Sequence, residues 1–97
     1  MTNAHIEEMF ELYYSNPTWK RYYDLAPSDA YRRYIRLEWS LWDAGEAYAQ
    51  IAKEMNEIRD REFTKEDWLY ELKHCGHPQA RYRLKEKIRA RFPEVDL

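Results

Sequence analysis

Apolar positions along the chain recur at helical spacing. Ile6, Met9, Phe10 and Tyr13 follow i, i+3, i+4, i+7 and so share one face, which predicts a helix over about 3–14. Ser15-Asn16-Pro17 ends it. Asn16 can cap a second helix, and Pro17 suits a first turn where no amide hydrogen is needed. That helix, over about 17–25, carries Trp19, Tyr22 and Tyr23 and stops before Pro27, because a residue preceding proline is pushed out of the α region. Ser28 is expected to cap a third helix over about 29–42, with Tyr31, Tyr34, Ile35, Leu41 and Trp42 on one broad face. Beyond Asp43 the apolar arc moves. Tyr48, Ile51, Ala52, Met55 and Ile58 form a stripe rotated by roughly a quarter turn, on a fourth helix over about 44–61. A straight helix cannot aim both arcs at one neighbour. Asp43 and Glu46 have capping-box spacing and Gly45 lowers helix propensity, so a break is expected near 43–46. The rival is one continuous helix from about 29 to 61, whose Ala44, Gly45, Ala47, Ala49 and Ala52 would admit a close neighbour.

Thr64-x-x-Asp67, followed by Trp68, Leu69 and Leu72, is a helix-start signal for a segment over about 65–75, with Gly76 just past its end. Pro78 opens a last helix over about 78–92 carrying Leu84, Ile88 and Phe92, and Pro93 closes it. Glu94 to Leu97 is expected to fray. These spans predict an all-α fold, a compact bundle of about five helices with some adjoining spans continuous, in a single domain over 1–97. Only two glycines in 97 residues argue against a turn-rich β protein. An aromatic content of 16% argues against disorder. A single cysteine excludes an internal disulfide framework and a zinc site built from several cysteines. No apolar run approaches the ~20 residues of a membrane span. Met1 to Glu8 lacks a basic start followed by an apolar stretch, so no secretory leader is expected and the expected location is cytoplasmic.

The net charge of -2 hides a bipolar chain. Asp43 to Glu71 holds nine acids and four bases, whereas Pro78 to Phe92 holds six bases and one acid. The plain expectation is that the two blocks are neighbours and partly neutralise one another. The alternative gives each block its own partner, with the acidic one imitating nucleic-acid phosphate towards a basic protein. In the last helix Arg81, Lys85 and Arg89 flank the apolar row on one side and Arg83, Lys87 and Arg91 on the other. Such rows can hold phosphates, or can be solvated stems covering the edge of a core contact. An acidic pI of about 5.9 and the absence of a strong nucleic-acid motif weigh against the first use.

His74, Cys75 and His77 invite a metal reading, but zinc needs about four ligands and the one further histidine is His5, far off in sequence. The simpler expectation places His74 at a helix C-terminus, His77 as a loose cap and Cys75 as a small apolar group. Carboxylate pairs such as Glu7/Glu11, Glu54/Glu57 and Glu62/Glu66 stand at helical spacing without a phosphate loop or a nucleophile elbow. The expectation is therefore no catalytic residue, no metal and no cofactor.

Aromatics are the remaining clue. Nine Tyr, four Trp and three Phe are hard to hide in so small a core, and Tyr, Trp and Arg dominate binding hot spots. The expected partner-binding face comprises Trp19, Tyr22, Tyr23, Arg32, Arg36 and Trp39. Self-association into a homodimer is a further use of the same rings. The stretch Ala26-Pro27-Ser28-Asp29-Ala30-Tyr31-Arg32-Arg33-Tyr34-Ile35, with Asp67-Trp68 later, resembles short helical accessory proteins of bacterial mobile elements and phages. That resemblance implies a binder or inhibitor of a host or defence protein and assigns no site residue. The function expected is a non-enzymatic protein–protein interaction module. The alternative is a nucleic-acid-binding accessory protein using Arg81, Arg83, Lys85, Lys87, Arg89 and Arg91.

Overall fold

Polar residues before each apolar stripe set the helix starts. In the computed structural model, which describes residues 3–97, Asn16 Oδ1 accepts from the amides of Thr18 (2.9 Å) and Trp19 (3.4 Å) and starts a helix whose first residue is Pro17. Ser28 Oγ accepts from Tyr31 N at 3.1 Å, and Thr64 and Asp67 exchange side-chain and backbone bonds in a complete capping box. The resulting helices are α1 (Asn3–Tyr14), α2 (Pro17–Asp24), α3 (Asp29–Leu41), α4 (Tyr48–Glu62), α5 (Lys65–His74) and α6 (Pro78–Arg91). Six helices stand where about five were expected, and the described residues contain no strand. Met1 and Thr2, the start of the stretch read for a leader, lie outside the described residues.

The chain breaks between α3 and α4, as the two rotated arcs required, and the continuous helix is not formed. The cause differs from the expected one. No side chain caps either the 3-10 turn Gly45–Ala47 or α4, so Asp43 and Glu46 do not form a capping box. Gly45 instead takes φ +57°, the one positive φ among the described residues, and this left-handed residue turns the chain. Gly76 has no such role at the end of α5.

α3 is the central element and packs chiefly on α4 and α1, while α2 lies on α1 and α6 on α5. Its Tyr31, Tyr34, Ile35 and Trp39 meet Ile51, Met55 and Ile58 of α4, Phe63, Trp68 and Leu72 of the α5 region, and Leu84 and Ile88 of α6. One buried carboxylate ties distant parts together: Asp67 accepts Thr64 N at 2.9 Å and the Ser28 hydroxyl at 2.8 Å, which joins the starts of α3 and α5. The C-terminal tail is not frayed. Val95 and Leu97 are partly buried against the core, and Arg89 donates to the Leu97 carbonyl at 3.2 Å. No helix among the described residues is long and apolar enough to cross a membrane.

Candidate interaction groove

Trp39, expected on the partner-binding face, is 0% exposed. α1 and α2 fold over it, and the rings of Phe10, Tyr13, Trp19 and Tyr23 stand 5.5 to 6.3 Å from its own. Trp42, expected in the core, is 55% exposed. Trp42 is the C-cap of α3 and keeps right-handed helical backbone angles, so it stays on the apolar side of the helix but past the elements that cover that side, and only Tyr13 stacks on it, at 5.8 Å. The two tryptophans have exchanged the roles expected of them.

The rest of the expected face divides across α2. Tyr23 turns to α1, where Arg36 donates to its hydroxyl at 3.3 Å, pairs with Glu7 at 3.0 Å and lies 3.8 Å above the Phe10 ring. Arg32 pairs with Asp29 and donates to the Ala26 carbonyl at 3.2 Å. Both arginines fasten elements of the fold to one another. Tyr22 turns the other way, as a step of about 100° per residue requires, and Trp19 stands between Tyr22 and Tyr23 around the helix, packed on Tyr13 and Trp39 as well. Trp19 and Tyr22 line a groove of about 490 Å³ between α2, α3 and α5, whose walls also include Leu25, Trp42 and Tyr70. Trp19 is 37% exposed and Leu25 60%, so three of the large exposed apolar side chains gather at one opening.

Tyr22, Glu38 and His74 also line a second cavity of about 300 Å³, bounded by α4 and α6. The two hollows are therefore adjacent, and Glu38 borders both. Its carboxylate accepts from the Tyr22 hydroxyl at 3.4 Å, and that hydroxyl is 2.9 Å from the Tyr31 hydroxyl. No cation among the described residues forms an ion pair with Glu38. Burial and the nearby Glu71 carboxylate push its pKa up to about 7. Glu71 fares differently: Arg59 pairs with it at 3.3 Å, and Tyr34 donates to it while accepting from Arg59 at 2.7 Å. Glu71 Oε1 and Arg59 Nε remain buried without a partner. Burial also raises the pKa values of Tyr22, Tyr31 and Tyr34, which stay neutral donors.

Sequence reasoning missed Glu38, Glu71, Arg59 and Tyr70. The signal for Glu38 was present: it stands seven residues after Tyr31 and three after Ile35, a charged residue within the buried stripe of α3.

The basic row of α6 is divided. Arg81 donates to the carbonyls of Leu72 (2.6 Å) and Cys75 (2.9 Å) and closes the end of α5. Arg89 pairs with Glu86, and Arg91 pairs with Asp60 at 3.4 Å beside the Trp68 ring. That last contact is the one ion pair among the described residues that joins the basic block to the acidic block, so the expected mutual neutralisation is slight. Arg83 and Lys87 line the smaller cavity, Arg21 and Lys73 line the larger one, and none of the four makes an ion pair or a side-chain hydrogen bond among the described residues. Lys85 is likewise unpaired. His74 Nδ1 is 3.0 Å from the Tyr70 carbonyl, and His77 caps α6 by accepting from Ala80 N at 3.4 Å. No group of three or more His, Cys, Asp or Glu among the described residues could hold a metal ion. No family model, curated protein or solved structure matches the chain.

Proposed function

We propose that the protein is a non-enzymatic interaction module that docks a segment of another protein in the groove between α2, α3 and α5. The observation that carries this reading is the gathering of Trp19, Leu25 and Trp42, all exposed, at one concave opening over Tyr22 and Tyr70. Exposed rings cost solvation when left in water, and large rigid side chains in a concavity are the usual anchors of protein recognition. A small binder of this kind suits the inhibitory accessory role, towards a host or defence protein, that the resemblance of the 26–35 stretch implies.

The test is the affinity of a partner recovered by capture and then purified, measured by calorimetry against point variants. Trp42→Ala is expected to weaken binding by about 2 kcal/mol, roughly thirtyfold, while Tyr48→Ala, exposed but away from the groove, leaves it unchanged. Equal affinity of wild type and Trp42→Ala overturns the reading. Sedimentation of the protein alone identifies the case in which the docked segment is a second copy. A second reading, nucleic-acid binding by α6, keeps support from the unpaired Arg83, Lys85 and Lys87. It requires retention on DNA that falls steeply with salt.

A further inference from the structure

Building on the proposed docking groove, we infer that its partner segment is acidic and amphipathic, with an apolar side chain seated among Trp19, Leu25 and Trp42 and carboxylates meeting Arg21, Lys73, Arg83 and Lys87. The argument is charge complementarity. Four cations line the two adjacent cavities from α2, α5 and α6, and none has an acidic partner among the described residues. The bases elsewhere on α6 that could have joined them, Arg81, Arg89 and Arg91, are held by carbonyls and carboxylates of the fold itself. Of the unpaired bases of α6, Arg83 and Lys87 border the smaller cavity and Lys85 does not. Complementary potentials of this kind steer encounter and select partners. A protein segment fits better than a nucleic acid. Trp19, Leu25 and Trp42 make a concave apolar opening of the kind that anchors a protein side chain.

Glu38 adds a consequence. An apolar side chain above it removes its remaining water, and incoming carboxylates add negative charge. Both favour the neutral acid, so docking takes up a proton at Glu38. The groups facing it are Tyr22 and Arg21 of α2, Tyr31 and Tyr34 of α3, Arg59 of α4, Glu71, Lys73 and His74 of α5, and Arg83 and Lys87 of α6.

The probes are three synthetic amphipathic peptides sharing one Trp/Leu face, with Glu, Gln or Lys on the polar face, and a thymidine oligonucleotide. Binding to the full chain is followed by heteronuclear NMR. The Glu peptide is expected to bind at least about tenfold more tightly than the Lys peptide, and Arg21→Glu with Lys73→Glu should reverse that order. If bound Glu38 rises by one further pKa unit, affinity for the Glu peptide is about fivefold higher at pH 6 than at pH 8, and Glu38→Gln removes the difference. Preference for the Lys peptide, no binding of the Glu peptide, or tighter binding of the oligonucleotide overturns the acidic partner. Unchanged pH dependence in Glu38→Gln overturns proton uptake there. Loss of the acidic preference with retained sensitivity to Trp42→Ala leaves the groove itself standing, so the two readings fail separately.

Discussion

Glu38 shows how one residue can oppose the stability of the fold and still stay in it. A carboxyl whose pKa in the folded protein, about 7, lies above its ordinary value binds a proton more tightly folded than unfolded. Its favourable contribution is complete below about pH 4.5 and is lost as the pH rises through 7; above that the ionised group weighs against folding at a constant level. Glu38→Gln, which keeps the shape and the hydrogen bond to Tyr22, should therefore be more stable than wild type at pH 8, by an amount on the order of 2–3 kcal/mol. The two should converge near pH 4.5. Urea unfolding across that range measures it, and parallel stability curves for the two proteins would refute the assignment. Asp67 is the contrasting residue, a buried carboxylate with two donors, whose bonds serve the fold.

Among the elements, the start of α5 is the point where local and long-range order meet. The Thr64–Asp67 capping box is a local device and could be read from four residues. The bond from Ser28 to the same carboxylate spans 39 positions and could not. Asp67→Ala removes both at once and strands the Ser28 hydroxyl and the Thr64 amide. The expected cost is about 2–4 kcal/mol, read by thermal or urea unfolding, against about 1 kcal/mol for loss of an ordinary cap. At the other junction the local signal misled. Asp43 and Glu46 have the spacing of a cap, but Gly45 adopts the left-handed conformation between them and no cap bond forms. The cap positions of the turn and of α4 fall instead on Ala44 and Ala47, which are in the right-handed helical region and carry no side chain that can accept a bond.

For the molecule as a whole, the two tryptophans of the α3 end separate core from surface. Trp39→Ala opens a cavity beneath α1 and α2 and should destabilise by about 3–5 kcal/mol. Trp42→Ala should change stability by less than about 1 kcal/mol while weakening the docked partner. Chemical unfolding of both variants tests this, and a larger loss from Trp42→Ala than from Trp39→Ala would contradict it. The exchange of their expected roles has a simple cause. Periodicity assigns a direction around a helix axis, but not where the helix stops or which neighbour covers it. Trp39 faces α1, and its burial depends on α1 and α2 closing over α3, an arrangement that contacts far apart in the chain create.

The amino-acid sequence by itself determined the helical class, nearly all the helix ends and the break before α4. These follow from interactions within one or two turns: side-chain caps, proline at a first turn and the phase of the apolar stripe. Only the tertiary structure decided which rings are exposed, which arginines are spent on the fold, and that Tyr22, Glu38 and His74 border both cavities. Burial depends on what covers a residue, and here the covering elements come from α1, α2, α5 and α6, whose positions against α3 no local pattern encodes.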